Sequence, residues 1–548
     1  MKKQMLTFKK ENILIVLLII VTAFIQIYTS LIHVYALNEL VNQSFSSFIR
    51  WYLLSFFLWV VYLFTTYYLS IYKGNTIQKM LLEMRSNYTK KVEKYPKMVS
   101  KSNTGESLSI LTNDINTIET AGFESFYRLV STVFTTLFAL SALYSIHPII
   151  MFTSIILTVI LTVIPKYISK KIPGKMKLIS MQNEKFVNQI SLLLGGFKNL
   201  LFNGQADLLT SKMKEYNKQL IEKKIDFTKY STRVNLQITF LSIVAQFIII
   251  IQTAYLNISG LVAVGSIMST GTIAGNVFNA LSDLSSTLIE IKATSVIFEK
   301  FERFDEEKTK KIFEPFESLE LKNVFFSYAS NENIVENLNI MIHQGDKVLI
   351  IGDSGSGKST LMSLLNGMNS STQGEIAYNN ENIEEQDFLD LYPKINYVSN
   401  HTPVFEGTLK ENLTLYSDVS DVKIKQLLHI FKLEQWIKNI NKPLKESELS
   451  TGQLQRIGLI RALLSGTELL LLDESMSNLD AETISILHNF ILSDPLLTVI
   501  YISHHLSVRE KLYFNKEIHI KRNGYYELKE EKVIQSKERN SDSEYQLA

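Results

Sequence analysis

Eight residues in the second half of the chain, Gly352-Asp353-Ser354-Gly355-Ser356-Gly357-Lys358-Ser359, satisfy every fixed position of the P-loop pattern G-x-x-x-x-G-K-[ST]. The chemistry they suit is phosphate binding. Glycines let backbone N–H groups curl around phosphate oxygens, a helix N-terminus adds partial positive charge, and Lys358 reaches the outer phosphates. Ser359 is placed to set its hydroxyl on Mg2+. The pattern requires a strand before it and a helix after it. Residues 347–351 (KVLII) predict a buried strand, and the run from Thr360 (TLMSLL) predicts a helix. The chain is therefore expected to bind a nucleoside triphosphate with Mg2+.

More chemistry-bearing residues follow. A run of leucines at 469–472 ends in Asp473 and Glu474. Ligands collect at the carboxyl ends of strands in parallel sheets, which places this pair beside the P-loop. Asp473 suits Mg2+, directly or through water, and Glu474 suits polarising the attacking water. Two adjacent carboxylates that merely capped a strand would repel each other. A second predicted strand, 498–502, ends at Ser503-His504-His505. One of these histidines can reach a γ-phosphate; a solvated histidine pair is the plainer alternative.

The elements that must position these groups divide the chain. At 548 residues it exceeds one domain, and its mean hydropathy of +0.08 averages two unlike halves. A bilayer-crossing helix needs ~20 mostly apolar residues. Six stretches qualify: 12–32, 52–72, 126–146, 148–168, 236–256 and 261–282. Lys and Arg concentrate in 1–11, 73–125 and 166–235 and are missing from 145–148 and 257–260, so both termini and both long connections are expected in the cytoplasm. The two connections have helical apolar spacing and predict helices reaching far below the membrane. Gln26, Gln246, Gln252, Asn276 and Asn279 either line a cavity or bond helix to helix. The expected domains are a six-span membrane domain at 1–303, a linker at 304–318, a nucleotide-binding domain at 319–530 and a charged, flexible tail at 531–548. A net charge of +2 makes no case for nucleic-acid binding, and the lack of cysteine excludes disulfides, thiolate metal sites and a cysteine nucleophile on this chain. No secretory signal peptide is expected, because the first apolar run is long enough to remain in the membrane.

Taken together, these residues resemble the ATP-binding cassette (ABC) exporter half-transporters. The resemblance runs from Thr104–Glu119 (TGESLSILTNDINTIE) to His504 and is carried by Leu449-Ser450-Thr451-Gly452-Gln453-Leu-Gln-Arg456, which is similar to the family signature LSGGQ-x-QR. It implies a six-helix transmembrane α domain followed by an α/β P-loop nucleotide-binding domain. It implies that Tyr328 stacks on adenine, that residues 352–360 and Asn400 hold ATP, and that Ser359, Asp473 and Asn400 serve Mg2+. Glu474 would be the general base, Lys358 a phosphate-binding cation and His504 the switch histidine. Ser450, Thr451, Gly452, Gln453 and Asp480 would meet ATP bound by the partner subunit. Two departures stand out. Val398-Ser399-Asn400 replaces the family's VPQ, keeping the amide but one methylene shorter, and Lys445–Glu448 lacks the usual GERG-like pattern. Thr451 also puts a side chain where backbone approaches phosphate. The resemblance implies ATP-driven export of a hydrophobic or amphipathic cargo by alternating access. Peptides rank ahead of lipids and drugs, without cleavage by a cysteine protease domain on the same chain. The alternatives are a nucleotide-gated regulator that moves nothing, which the intact Glu474 opposes, and an exporter-like importer. The implied partners are the bilayer and a second half-transporter, an identical copy favoured over a different one. The implied location is a bacterial plasma membrane.

Overall fold

The computed structural model describes residues 1–94, 104–302, 311–328, 333–384, 387–503, 506, 508–521 and 526–530. His504, residues 304–310 of the expected linker and the 531–548 tail lie outside the described residues. The chain forms two compact units, one of Met1–Thr89 with Gly105–Asp305 and one of Lys90–Thr104 with Glu306–Ala548.

The first unit is helical. Helical stretches at Lys9–Val41, Phe45–Lys94, Ser107–Ile146 and Asp207–Ile258 are each long and apolar enough to cross a membrane. They contain four of the predicted spans, and the 148–168 span coincides with the helix Pro148–Ile168. The sixth span differs at its start: residues 261–264 are turn, and the helix begins at Gly265. Gly260 at φ 71° ends the preceding helix, and the Asn257 side chain donates to the Val262 carbonyl, holding the turn. The new helix is then capped from outside, because Gly265 N–H donates to Asn38 Oδ1 at 2.8 Å. A β-carbon at Gly265 would sit 2.4 Å from the Val34 carbonyl oxygen, so only glycine permits this approach.

The helices Phe45–Lys94 and Asp207–Ile258 have 50 and 52 residues. At 1.5 Å per residue each runs about 75 Å, more than twice the ~30 Å hydrocarbon core. Each is longer than a single bilayer crossing needs. Gln252 donates to Thr153 Oγ1 at 2.9 Å, and the Gln246 amide would lie 3.0 Å from a β-carbon at Gly275. Gln252 therefore bonds helix to helix, whereas Gln246 packs against Gly275 and donates to Ser242 Oγ of its own helix at 3.5 Å. Ile110–Asp114 and Ile118–Glu124 are π-helical, so each turn takes an extra residue and Ile110, Ile115, Ile118 and Phe123 all reach the interior.

The second unit is α/β. An antiparallel sheet has the order β2 (Val335–His343), β1 (Ser318–Phe326), β4 (Gln373–Tyr378), β5 (Glu381–Asn382). A larger sheet has the order β10 (Tyr526–Glu530), β9 (Lys516–Ile520), β3 (Lys347–Gly352), β8 (Thr498–Ile502), β7 (Leu469–Asp473), β6 (Ile395–Val398), parallel except for β10. Its strands β3, β8 and β7 are apolar on both faces because both are covered. Alternation sends Val348, Ile350, Leu469, Leu471, Ile500 and Ile502 into one core with the antiparallel sheet and the helix Lys358–Leu365. Leu349, Leu470, Leu472, Val499 and Tyr501 enter the other core, with the helices Thr451–Leu464 and Ala481–Leu492.

Candidate nucleotide site

Register assembles the site. Ile350 of β3 pairs with Ile502 of β8, and Ile502 pairs with Asp473 of β7. The start of the P-loop and the two carboxylates therefore emerge from one edge of the sheet, as the leucine run predicted. His504 follows β8, between them in strand order, but lies outside the described residues.

The P-loop is shaped by its glycines. Gly355 and Gly357 have φ of 80° and 101°, a region that favours glycine. A β-carbon at Gly357 would press within 2.9 Å of the Ile334 side chain. Lys358 Nζ donates to the carbonyls of Gly352 and Asp353, both at 2.8 Å, which holds the cation inside the loop. Asp353, Ser354 and Gly355 form the exposed crest, whereas Ser356 and Thr360 are buried and Ser359 is exposed at the helix start. Ser356 Oγ is buried without a hydrogen-bond partner among the described residues. Buried hydroxyls are normally bonded, and a phosphate oxygen would satisfy this one. The loop thus fits a triphosphate, and Ser359 with Asp473 is a fitting oxygen donor set for Mg2+.

Glu474 is a non-glycine residue at φ 51°, and its N–H donates to the Ile502 carbonyl at 3.2 Å. Such backbone strain persists where surrounding structure enforces it, commonly at functional sites. Tyr397 of β6 donates its hydroxyl to Asp473 Oδ2 at 3.0 Å. Burial, and then the Asp473 carboxylate, hold this phenol above the ordinary tyrosine range, so it remains a donor. Tyr328 is half-exposed beyond β1, its ring edge-on to Phe326 at 5.0 Å, which leaves an aromatic face for stacking.

The signature residues are built differently. Ser450 caps the helix Thr451–Leu464: Gln453 N–H donates to Ser450 Oγ at 3.2 Å, and Ser450 N–H donates to Gln453 Oε1 at 2.8 Å. Thr451 is exposed and is not among the positive-φ residues, so its β-carbon costs no backbone strain. Gly452 is required within the chain itself, since a β-carbon would meet the Asn478 carbonyl oxygen at 2.8 Å. Asp480 caps the helix Ala481–Leu492 by accepting from Thr483 N–H and Oγ1, and these bonds lower its pKa. The P-loop helix and the signature helix cover opposite faces of the parallel sheet.

Comparison with known proteins bears on the whole chain. An ABC transporter family model matches residues 335–477, and an ABC transporter transmembrane region model matches residues 12–281. An export ATP-binding/permease protein of Rickettsia bellii is 30% identical over 421 residues, 69% of this chain and 68% of that protein. The chain belongs to the ABC exporters, as a half-transporter with fused membrane and ATP-binding domains. The transport/processing ATP-binding protein ComA of Streptococcus pneumoniae is 30% identical to this half-transporter over 329 residues, 55% of this chain and 45% of ComA. The solved structure of a bacterial Atm1-family ABC exporter with ATP bound matches at TM-score 0.77 and 18% identity, over 93% of this chain and 92% of that one, a likeness of fold. The half-transporter is an ATP-driven exporter by family, and it is a membrane protein.

Two residues of this exporter escaped the sequence reading. Tyr397 is one; the other is Gln455, which stands within the signature motif but was assigned no role there. Gln455 is wholly buried on the signature helix, donates to the Asn400 carbonyl at 3.4 Å and to Ser477 Oγ at 3.3 Å, and accepts from Asn478 N–H at 3.1 Å. It draws the Asn400 loop, the signature helix and the 477–480 loop into one cluster. Its signal was its place in the signature motif, as the glutamine before Arg456.

Proposed function

We propose that two copies of this chain form a homodimeric exporter that sandwiches two ATP molecules and hydrolyses them to move a hydrophobic or amphipathic cargo, a peptide first, out across the plasma membrane of a bacterium. The carrying observation is the shared row of Ile350, Ile502 and Asp473, which sets the P-loop and Glu474 at one sheet edge. Gly352, Asp353, Ser354, Gly355, Ser356, Gly357, Lys358, Ser359 and Thr360 hold the phosphates, and Tyr328 stacks on the base. Glu474 accepts a proton from the water that attacks the γ-phosphate, and His504 serves as the switch histidine. Ser359, Asp473 and Asn400 would hold Mg2+, which when bound neutralises charge on the β- and γ-phosphates.

The P-loop helix and signature helix lie on opposite faces of one sheet, so a sandwich draws its second half from another subunit. There Ser450, Thr451, Gly452, Gln453 and Asp480 meet the γ-phosphate, aided by the partial positive charge of a 14-residue helix N-terminus. Shifting a two-state equilibrium from 1:99 to 99:1 takes about 5.5 kcal/mol of differential binding, and contacts made only in the closed dimer can supply it. Closure turns the membrane helices outward-open; hydrolysis removes the γ-phosphate contacts and resets them. Peptide cargo is supported by the likeness to ComA, whose name describes transport and processing, and by the largely apolar spans.

The test is ATP hydrolysis by the purified chain in lipid nanodiscs beside Glu474→Gln. Removing a general base costs about 10²–10⁴ in rate, so hydrolysis should all but vanish in the variant and rise in the parent with added apolar peptides. A well-folded parent that hydrolyses nothing, with or without peptides, would overturn the homodimer.

A further inference from the structure

Tyr397 is a strand residue whose polar end is aimed at the catalytic edge. In β6 it pairs with Leu471 of β7, and Asp473 lies two residues further along the same face. A diagonal neighbour is within reach of an aromatic side chain, which explains the 3.0 Å bond to Asp473 Oδ2. Packing alone does not require a phenol here. The other residue of β6 on this face is Ile395, in the core, and phenylalanine would fill the same site.

The loop after β6 is committed elsewhere through its backbone and serine. Ser399 Oγ donates to the His401 carbonyl at 2.9 Å, and the Asn400 carbonyl accepts from Gln455. The asparagine amide at this point is one methylene shorter than glutamine, so it reaches less far toward the carboxylate. Tyr397 instead comes from a rigid strand and contacts that carboxylate directly. Groups that hydrogen-bond a metal-binding carboxylate fix its orientation, and their loss commonly weakens metal binding.

We propose that the Tyr397 hydroxyl is the positioning group for the Mg2+-binding carboxylate of Asp473 in this chain. It acts through Asp473 and not on substrate. A hydroxyl bonded to Oδ2 helps to set the carboxylate plane that the cation meets. This inference rests on the assignment of Asp473 to Mg2+ made under the proposed function.

The experiment compares the full-length parent with Tyr397→Phe in nanodiscs. Mn2+ is the spin-active probe, titrated by electron paramagnetic resonance with a non-hydrolysable ATP analogue present. The affinity for the same analogue is measured separately in EDTA by fluorescence. Tyr397→Phe is expected to raise the Mn2+ half-saturation about 10-fold, the lower end of such effects, while metal-free affinity stays at the parent value. An unchanged Mn2+ half-saturation overturns the proposal. So does an equal loss of metal-free and metal-dependent binding, which would make the tyrosine a packing residue. A parent with metal-free nucleotide binding but no nucleotide-dependent Mn2+ site would instead remove the Asp473 assignment, and the proposal with it.

Discussion

Burial and charge pull in opposite directions at His488. Its Nδ1 lies 3.1 Å from Glu510 Oε1, a contact that by itself would raise the imidazole pKa. The ring is almost fully buried against Tyr501, however, and Nε2 has no hydrogen-bond partner among the described residues. Desolvation wins, and the pKa falls below the ordinary 6.5. The sign follows from linkage. As pH falls below 6.5 the unfolded chain binds the proton first, so stability is lost with acidification until the depressed folded pKa is passed. Thermal unfolding of the full chain should therefore drop between pH 7 and pH 5, and His488→Gln should flatten that drop. Equal slopes in the two proteins would show that His488 titrates normally. At this scale the sequence marked Lys358, Asp473 and Glu474 by type and spacing. It could not mark the left-handed backbone at Glu474, because that conformation is imposed by the bond to Ile502, distant in sequence.

Among the elements, the signature helix carries more than its exposed N-terminus. Ser450 and Gln453 cap it, Gly452 lets it approach Asn478, and Gln455 ties it to the loops at 400 and 477–480. A move of any one of these pieces is passed to the others. Gln455→Leu keeps the volume but removes the acceptor of the Asn478 N–H and the donor to the Asn400 carbonyl and Ser477 Oγ, a loss of ~0.5–1.5 kcal/mol for each net hydrogen bond. Its melting temperature should fall, and its ATP turnover should fall while ATP affinity remains, because the P-loop lies on the opposite sheet face. Unaltered turnover would reduce Gln455 to packing. The signature motif was legible from Leu449–Arg456; the bridge was not, because hydrogen-bond partners 22 to 55 residues away leave no local periodicity.

For the molecule as a whole, the arrangement of the sheet implies that function needs two subunits, and the cysteine-free sequence makes the test direct. Ser354 on the P-loop crest and Thr451 at the signature are both exposed. In a Glu474→Gln background, Ser354→Cys with Thr451→Cys should cross-link into dimers when ATP is added and not before. A purified chain that stays monomeric with ATP would point to a different partner half-transporter. The sequence by itself determined the membrane and nucleotide halves, apolar runs that fall within long helices, the strand before the P-loop and the helix after it, and the family. These depend on apolar period and on short spacings, which are local quantities. The sixth span began late because Asn38, on another helix, caps Gly265. Tertiary structure alone decided the residue register of the row that joins the P-loop to Asp473, the strain at Glu474, the Tyr397 bond and the opposed faces of the two key helices. Each is a meeting of residues far apart in the chain, and strand order, which brings them together, is chosen by the burial of both sheet faces at once.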